Sequence, residues 1–208
     1  MNILLYGPSG TGKTEFAKYL SKRLKRKIVI KSSGDLLSKW VGGTEANISE
    51  LFRKTENDNG ILFIDETDSL LRSREKSQNS WEITQVNELL VRMENFKGIF
   101  ISATNRIEDI DPAVIRRFNL KIEFDYLSLS CIRDLYEIYF YEIVGDRFRD
   151  DILLGLEKLK NITPGDFKTV YQKLFFITKE DITVEMVITL FKEEINAKNL
   201  FLNKRVRF

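Results

Sequence analysis

"YGPSGTGKT", residues 6–14, is the stretch that decides how this chain folds. It follows an apolar run, "NILLYG" at 2–7, and opens a helical one. From Gly7 to Thr14 it matches G-x-x-x-x-G-K-[ST] in full. Gly10 and Gly12 let the backbone curl so that successive N–H groups converge, and the start of the next helix adds the positive end of its dipole. Such an arrangement is a cradle for phosphate. Gly7, Pro8, Ser9, Gly10, Thr11, Gly12, Lys13, Thr14 and Glu15 are the nucleotide-binding candidates. Lys13 is placed to reach the β- and γ-phosphates of ATP, and the Thr14 hydroxyl to ligate Mg²⁺. A glycine turn with a chance lysine is the plain alternative; the strand before and the helix after leave it little room.

Outward from this loop, strand and helix patterns alternate. Phe16, Ala17, Leu20 and Leu24 predict a helix over 12–26. "KIVIKSS" (27–33) reads as a second strand and 44–56 as a helix with Thr44 as candidate N-cap. "GILFIDE" (60–66) is a third strand, 83–94 a helix, "GIFISATN" (98–105) a fourth strand and "LKIEF" (120–124) a fifth. The strands are continuous apolar runs, which suits a parallel sheet covered on both faces. After "FDYLSLS" (124–130) the pattern turns helical, at 131–144, 149–160, 164–177 and 183–198. The predicted fold is α/β, a P-loop NTPase parallel sheet with helices on both faces over residues 1–127. A small all-helical domain follows over 128–208. A buried strand beginning almost at Met1 predicts a further region upstream.

Composition narrows the chemistry. The 208 residues carry 33 Lys and Arg against 31 Asp and Glu, a net charge of +2. That balance gives no general argument for nucleic acid. There is no histidine, so Ser-His-Asp and Cys-His catalysis and His-ligated metals are excluded. The single cysteine, Cys131, forms no internal disulfide, fits a reducing compartment, and reads as a buried inert thiol. No apolar run approaches the ~18 residues of a spanning helix, and no signal peptide is visible. The reading is a soluble, cytoplasmic protein.

In an open parallel sheet the ligand lies beyond the carboxyl ends of the strands. The third strand runs through Ile61–Ile64 into Asp65-Glu66. Asp65 is the candidate to hold Mg²⁺, and Glu66 the candidate to take a proton from an attacking water. The fourth strand ends at Asn105, which suits a hydrogen bond to the γ-phosphate or that water; an ordinary turn asparagine is an equal reading on local sequence. Arg116 and Arg117 precede the fifth strand. Arginine supplied in trans adds roughly 10³–10⁵ to phosphoryl transfer, although a solvated pair is the usual fate of such residues.

In order, "GPSGTGKT", "SKWVGG", "ILFIDETD", "ATNR" and "DPAVIRRF" resemble the classical clade of AAA+ ATPases, protein-remodelling enzymes that act on scission filaments and microtubules or power membrane-bound proteases. "NITPGDF" (161–167) resembles the Gly-Asp motif of that family's helical lid. The resemblance implies roles. Lys13 and Thr14 match the phosphate and Mg²⁺ residues, Asp65 and Glu66 the metal-binding and water-activating pair, and Asn105 the polar sensor. Arg116 and Arg117 match arginine fingers that reach a neighbouring subunit's nucleotide. Gly165 matches a small lid residue near the nucleotide. "SKWVGG" (38–43) looks like the first pore loop, in which Trp40, flanked by Lys39 and Val41, grips an extended polypeptide inside a homo-oligomeric ring of six; from the residues alone, a Trp packed under a loop is the plainer reading. Trp40 offers a large rigid apolar surface at low rotamer cost.

Other stretches imply less. Trp81 falls where the family has a second pore loop, yet reads better as a staple for the helix that follows. "SKRLKRK" (21–27) reads as a solvated helix end and "NKRVRF" (203–208) as a frayed tail. The family's usual segment before the first strand, and its substrate-selecting domain, have no counterpart in these residues. Three rival functions remain: a P-loop small-molecule kinase, a nucleic-acid-directed AAA+ motor or loader, and an ATP-gated scaffold. The motor would bring a Ser-Arg-Cys finger and basic stripes; the scaffold would not need Asp65-Glu66.

Overall fold

The structure, a computed structural model, describes residues 1–36, 43–71, 80–144 and 149–204. Five parallel strands form one sheet: β1 (Asn2–Tyr6), β2 (Ile28–Ser32), β3 (Ile61–Asp65), β4 (Ile99–Thr104) and β5 (Leu120–Glu123). Their spatial order is β2-β3-β4-β1-β5. The helices between them are α1 (Lys13–Leu24), α2 (Ser33–Leu36), α3 (Gly43–Asn57), α4 (Ser80–Asn95) and α5 (Pro112–Ile115).

Side-chain alternation explains why the sheet needs cover on both faces. Ile3, Leu5, Ile61, Phe63, Ile101 and Ala103 point to one side, where Ala17 of α1 is wholly buried and Phe16 and Leu20 pack. Leu4, Leu62, Ile64 and Phe100 point to the other, against Ile48 and Phe52 of α3 and Val86, Leu89, Leu90 and Met93 of α4. Phe52 packs edge-on to Phe96, ring centres 5.1 Å apart. Each such side chain, once buried, contributes roughly 1.5–3 kcal/mol. The register aligns Tyr6 with Thr104 and Glu123, and Ser32 with Asp65. Strand ends, and whatever chemistry they carry, are thereby brought to one edge.

The chain divides into two compact units, Met1–Pro8 with Gly12–Phe124, and Ser9–Thr11 with Asp125–Phe208. The described part of the second contains only helices: α6 (Leu129–Tyr139), α7 (Tyr141–Val144), α8 (Arg149–Glu157), α9 (Pro164–Leu174) and α10 (Val184–Lys204), with a single turn at 179–181. Its core is aromatic. Phe167 meets Phe191 edge-on at 4.9 Å, and Phe140 packs against both.

Three expectations are corrected. The stretch 131–144 is two helices, because the first closes at Phe140, whose N–H reaches the Tyr136 carbonyl. Thr44 is buried inside α3, which already begins at Gly43, and does not cap it. Cys131 is exposed. It sits in the first turn of α6, its N–H bonded to the Ser128 cap, with the buried Ile132 beside it taking the inward position.

Candidate active site

The phosphate loop leaves β1 at Gly7, whose φ is +132°. A Cβ there would lie 1.9 Å from the Phe124 carbonyl oxygen, so glycine is required by space as well as by torsion. Gly12, at φ +99°, ends the loop and stands at the N-cap of α1, where its carbonyl accepts the Phe16 N–H at 2.9 Å. Ser9 and Gly10 are exposed, whereas Thr11 is buried. Glu15 is exposed and pairs with Lys18 at 2.7 Å. In the second unit, the Gly165 N–H donates to the Gly10 carbonyl at 2.9 Å, and a Cβ on Gly165 would come within 3.1 Å of the Gly10 Cα.

Lys13 is buried, and its ammonium donates to the carbonyls of Gly7 and Pro8, both at 2.8 Å. Burial pushes its pKa below the usual lysine value, while the charges of Asp65 and Asp68 pull it back up. One residue on, Thr14 Oγ1 donates to Asp65 Oδ2 at 2.7 Å. Two hard oxygen ligands from α1 and β3 therefore meet. Mg²⁺ is commonly held by one or two protein oxygens, with water and substrate phosphates completing its shell. The Thr14–Asp65 pair fits that donor set. Among the described residues no group of three or more acidic or cysteine side chains offers an all-protein cage.

Glu66 follows β3 directly, exposed, with φ +53° and ψ +43°. A non-glycine residue in the left-handed region costs about 1–2 kcal/mol and needs an anchor. The anchor is Ser33, at the start of α2, whose hydroxyl donates to the Glu66 carbonyl at 2.7 Å. Asn105, exposed, follows β4.

Between these two positions lies a network that sequence reasoning missed. Thr67 is fully buried, with its hydroxyl 2.7 Å from that of Ser102 and donating to the Ala103 carbonyl at 3.0 Å. The Thr104 hydroxyl donates to the Asp68 carboxylate and accepts the Arg106 N–H at 2.9 Å. Thr67 and Asp68 thus fasten the end of β3 to the end of β4, just before Asn105. The only sequence signal is a third acid, Asp68, so soon after Asp65-Glu66.

The arginine pair separates. Arg117 is half-buried, with Nε donating to Glu94 at 3.0 Å and Nη1 to the Ala113 carbonyl at 2.7 Å. Arg116 closes α5 and is exposed, with no side-chain ion pair among the described residues. Neither arginine bonds to Lys13, Thr14 or Asp65. Lys39, Trp40 and Val41 lie outside the described residues, as do the side chain of Trp81 and residues 205–208.

Comparison with known proteins places this geometry in a lineage. Residues 3–126 match the "ATPase family associated with various cellular activities (AAA)". The chain is 35% identical over 170 residues to "Protein SAV" of Sulfolobus acidocaldarius, covering 78% of this chain and 21% of that protein. It is 31% identical over 197 residues to "Protein SUPPRESSOR OF K(+) TRANSPORT GROWTH DEFECT 1" of Arabidopsis thaliana, covering 91% of this chain and 42% of that protein. The chain thus spans about a fifth and about two fifths of the length of these two curated relatives. In fold it resembles the crystal structure of the FIGL-1 AAA domain in complex with ADP, with a TM-score of 0.71 at 21% identity over 98% of this chain and 77% of that one. The match over residues 3–126 takes in the phosphate loop and the acidic strand end, and the chain belongs to the AAA family of ATPases.

Proposed function

We propose that this chain binds Mg-ATP at the ends of β1, β3 and β4, hydrolyses it, and uses the cycle to remodel, unfold or thread a polypeptide. The observation that carries the reading is the Thr14–Asp65 contact at 2.7 Å beside the buried Lys13 ammonium. Lys13 is already oriented at the loop by two carbonyls, and exchanging them for phosphate oxygens replaces neutral partners with anionic ones. Held by Thr14 and Asp65, Mg²⁺ would neutralise charge on the phosphate oxygens. Glu66 accepts a proton from the attacking water as the new bond to the γ-phosphorus forms and the bond to the β–γ bridging oxygen breaks, leaving ADP. Asn105 orients that water.

Arg116 of an adjacent copy completes the site, while Arg117 holds the turn that presents it. Among the described residues Arg116 has no competing ion pair and Arg117 does, which supports this division. The working assembly is a homo-oligomeric ring of six in the cytoplasm, and Trp40, flanked by Lys39 and Val41, contacts the polypeptide. Among the described residues no helix is long and apolar enough to cross a membrane.

The test is Mg-ATP hydrolysis per chain across a wide range of protein concentration. Specific activity is expected to climb steeply as copies assemble. Flat activity from a chain that stays monomeric overturns the shared site, and ATP binding without turnover at any concentration overturns the ATPase reading. Phosphate transfer to a nucleoside monophosphate would establish a kinase instead.

A further inference from the structure

The far end of α1 from the phosphate loop, about 18 Å away for twelve helical residues, gathers positive charge that nucleotide binding leaves unused. Residues 18–31 contain seven Lys and Arg and no Asp or Glu, in a chain whose net charge is only +2. Lys18 pairs with Glu15, and Lys31 acts on Asp35. Lys22, Arg23, Lys25, Arg26 and Lys27 make no ion pair among the described residues.

The backbone holds these cations in place. Lys25 closes α1 in the left-handed conformation, φ +54°, with its N–H bonded to the Lys22 carbonyl. The Arg26 N–H reaches the Ser21 carbonyl, and the buried Ser21 hydroxyl donates back to the Arg26 carbonyl at 2.6 Å. The Lys27 carbonyl accepts the Ile61 N–H at 2.7 Å, which ties the turn to the start of β3. Large apolar side chains stand among the charges: Tyr19 is 60% exposed, Leu24 44% and Ile30 41%. One or two cations would satisfy the helix dipole. A leucine exposed inside "KRLKRK" does not follow from that.

We propose that this patch docks on an anionic lipid bilayer. Clusters of four to eight Lys and Arg are attracted to the negative cytoplasmic leaflet, and apolar side chains between them can enter the headgroup boundary. Nucleic acid is the poorer partner, because phosphates gain nothing from Leu24 or Ile30, and only Tyr19 offers a ring for stacking. The pinned turn needs no ordering on contact.

The test sediments the full 208-residue chain with phosphatidylcholine vesicles, with and without about 30 mol % phosphatidylserine. Binding is expected only with phosphatidylserine, and it should disappear at about 0.5 M salt. Lys22→Glu, Arg23→Glu and Lys27→Glu together should lower the partition coefficient by roughly 100-fold or more. Gln at the same three positions should lower it less, and neither set should change ATP hydrolysis. Leu24→Ser, which removes the apolar surface without adding charge, should lower it by about tenfold while leaving the retention of a short DNA duplex unchanged. No binding to either vesicle overturns the proposal, as does binding that survives the triple Glu variant. So does a patch that holds the duplex more tightly than the phosphatidylserine vesicles.

Discussion

Glu66 concentrates the argument for catalysis in one side chain. Its left-handed backbone, anchored by Ser33, leaves it exposed directly after Asp65 at the end of β3. Glu66→Gln keeps the size and removes the base, so ATP should still bind while turnover falls by about 10²–10⁴. Turnover at the parent rate, measured by phosphate release, would remove Glu66 from that role. Asp68 makes a subtler case. It accepts the Thr104 hydroxyl just before Asn105, and its charge favours protonated Lys13. Asp68→Asn keeps the shape but weakens both interactions. It is expected to lower kcat by roughly tenfold to a hundredfold, the cost of a misplaced water-orienting group, with little change in KM. A rise in KM at unchanged kcat would mean that Asp68 serves nucleotide binding instead.

Among the helices, α9 depends most on a few polar atoms. Asp166, at its third position, is buried, and it accepts the N–H of Thr163 at 2.8 Å and the ammonium of Lys198 from α10 at 2.5 Å. One carboxylate therefore caps α9 and fastens it to α10. Asp166→Ala strips both partners at once and should destabilise the helical unit by about 1–3 kcal/mol, seen as a lower urea midpoint at unchanged slope. An unchanged midpoint would show that water replaces the carboxylate without loss. This cap was half legible in "NITPGDF", where Thr163 and Asp166 stand three apart as a capping pair requires. Lys198 was not, because nothing local ties it to a residue so distant in the chain. The same division runs through the fold. The central strands β1 and β3 were readable because each is a short apolar run, closed by Gly7 in one case and by Asp65-Glu66 in the other. The break at Phe140 was not, because apolar spacing continues across it. At the site, Lys13, Thr14, Asp65 and Glu66 were readable from adjacent motifs. The Thr67–Ser102 and Asp68–Thr104 contacts join strands that only the sheet brings together, and residue types alone did not announce them.

The two units each bury a core of their own, one built on the sheet and one on aromatic helix packing. Within the first, Lys13, Thr14 and Asp65 converge, yet neither arginine of 116–117 bonds to them. Under the proposed sharing of hydrolysis between copies, the arginine that meets these residues belongs to a neighbour. The same proposal accounts for the different surroundings of two neighbouring arginines: Arg117 is tied to Glu94, whereas Arg116 is exposed. That asymmetry yields a test that no single-chain mechanism passes. Arg116→Ala chains retain an intact Glu66 but offer no finger; Glu66→Gln chains offer the finger but have no base. Each alone should be slowed, the Arg116 variant by roughly 10³ or more. Mixed, an Arg116→Ala site facing a Glu66→Gln neighbour has both groups, so activity should reappear and pass through a maximum near equal proportions. Arg117→Ala should not complement in this way, because losing the Glu94 tie disturbs its own chain. Strictly additive rates in the Arg116→Ala mixture, from chains that co-sediment as one assembly, would place every catalytic group within a single copy.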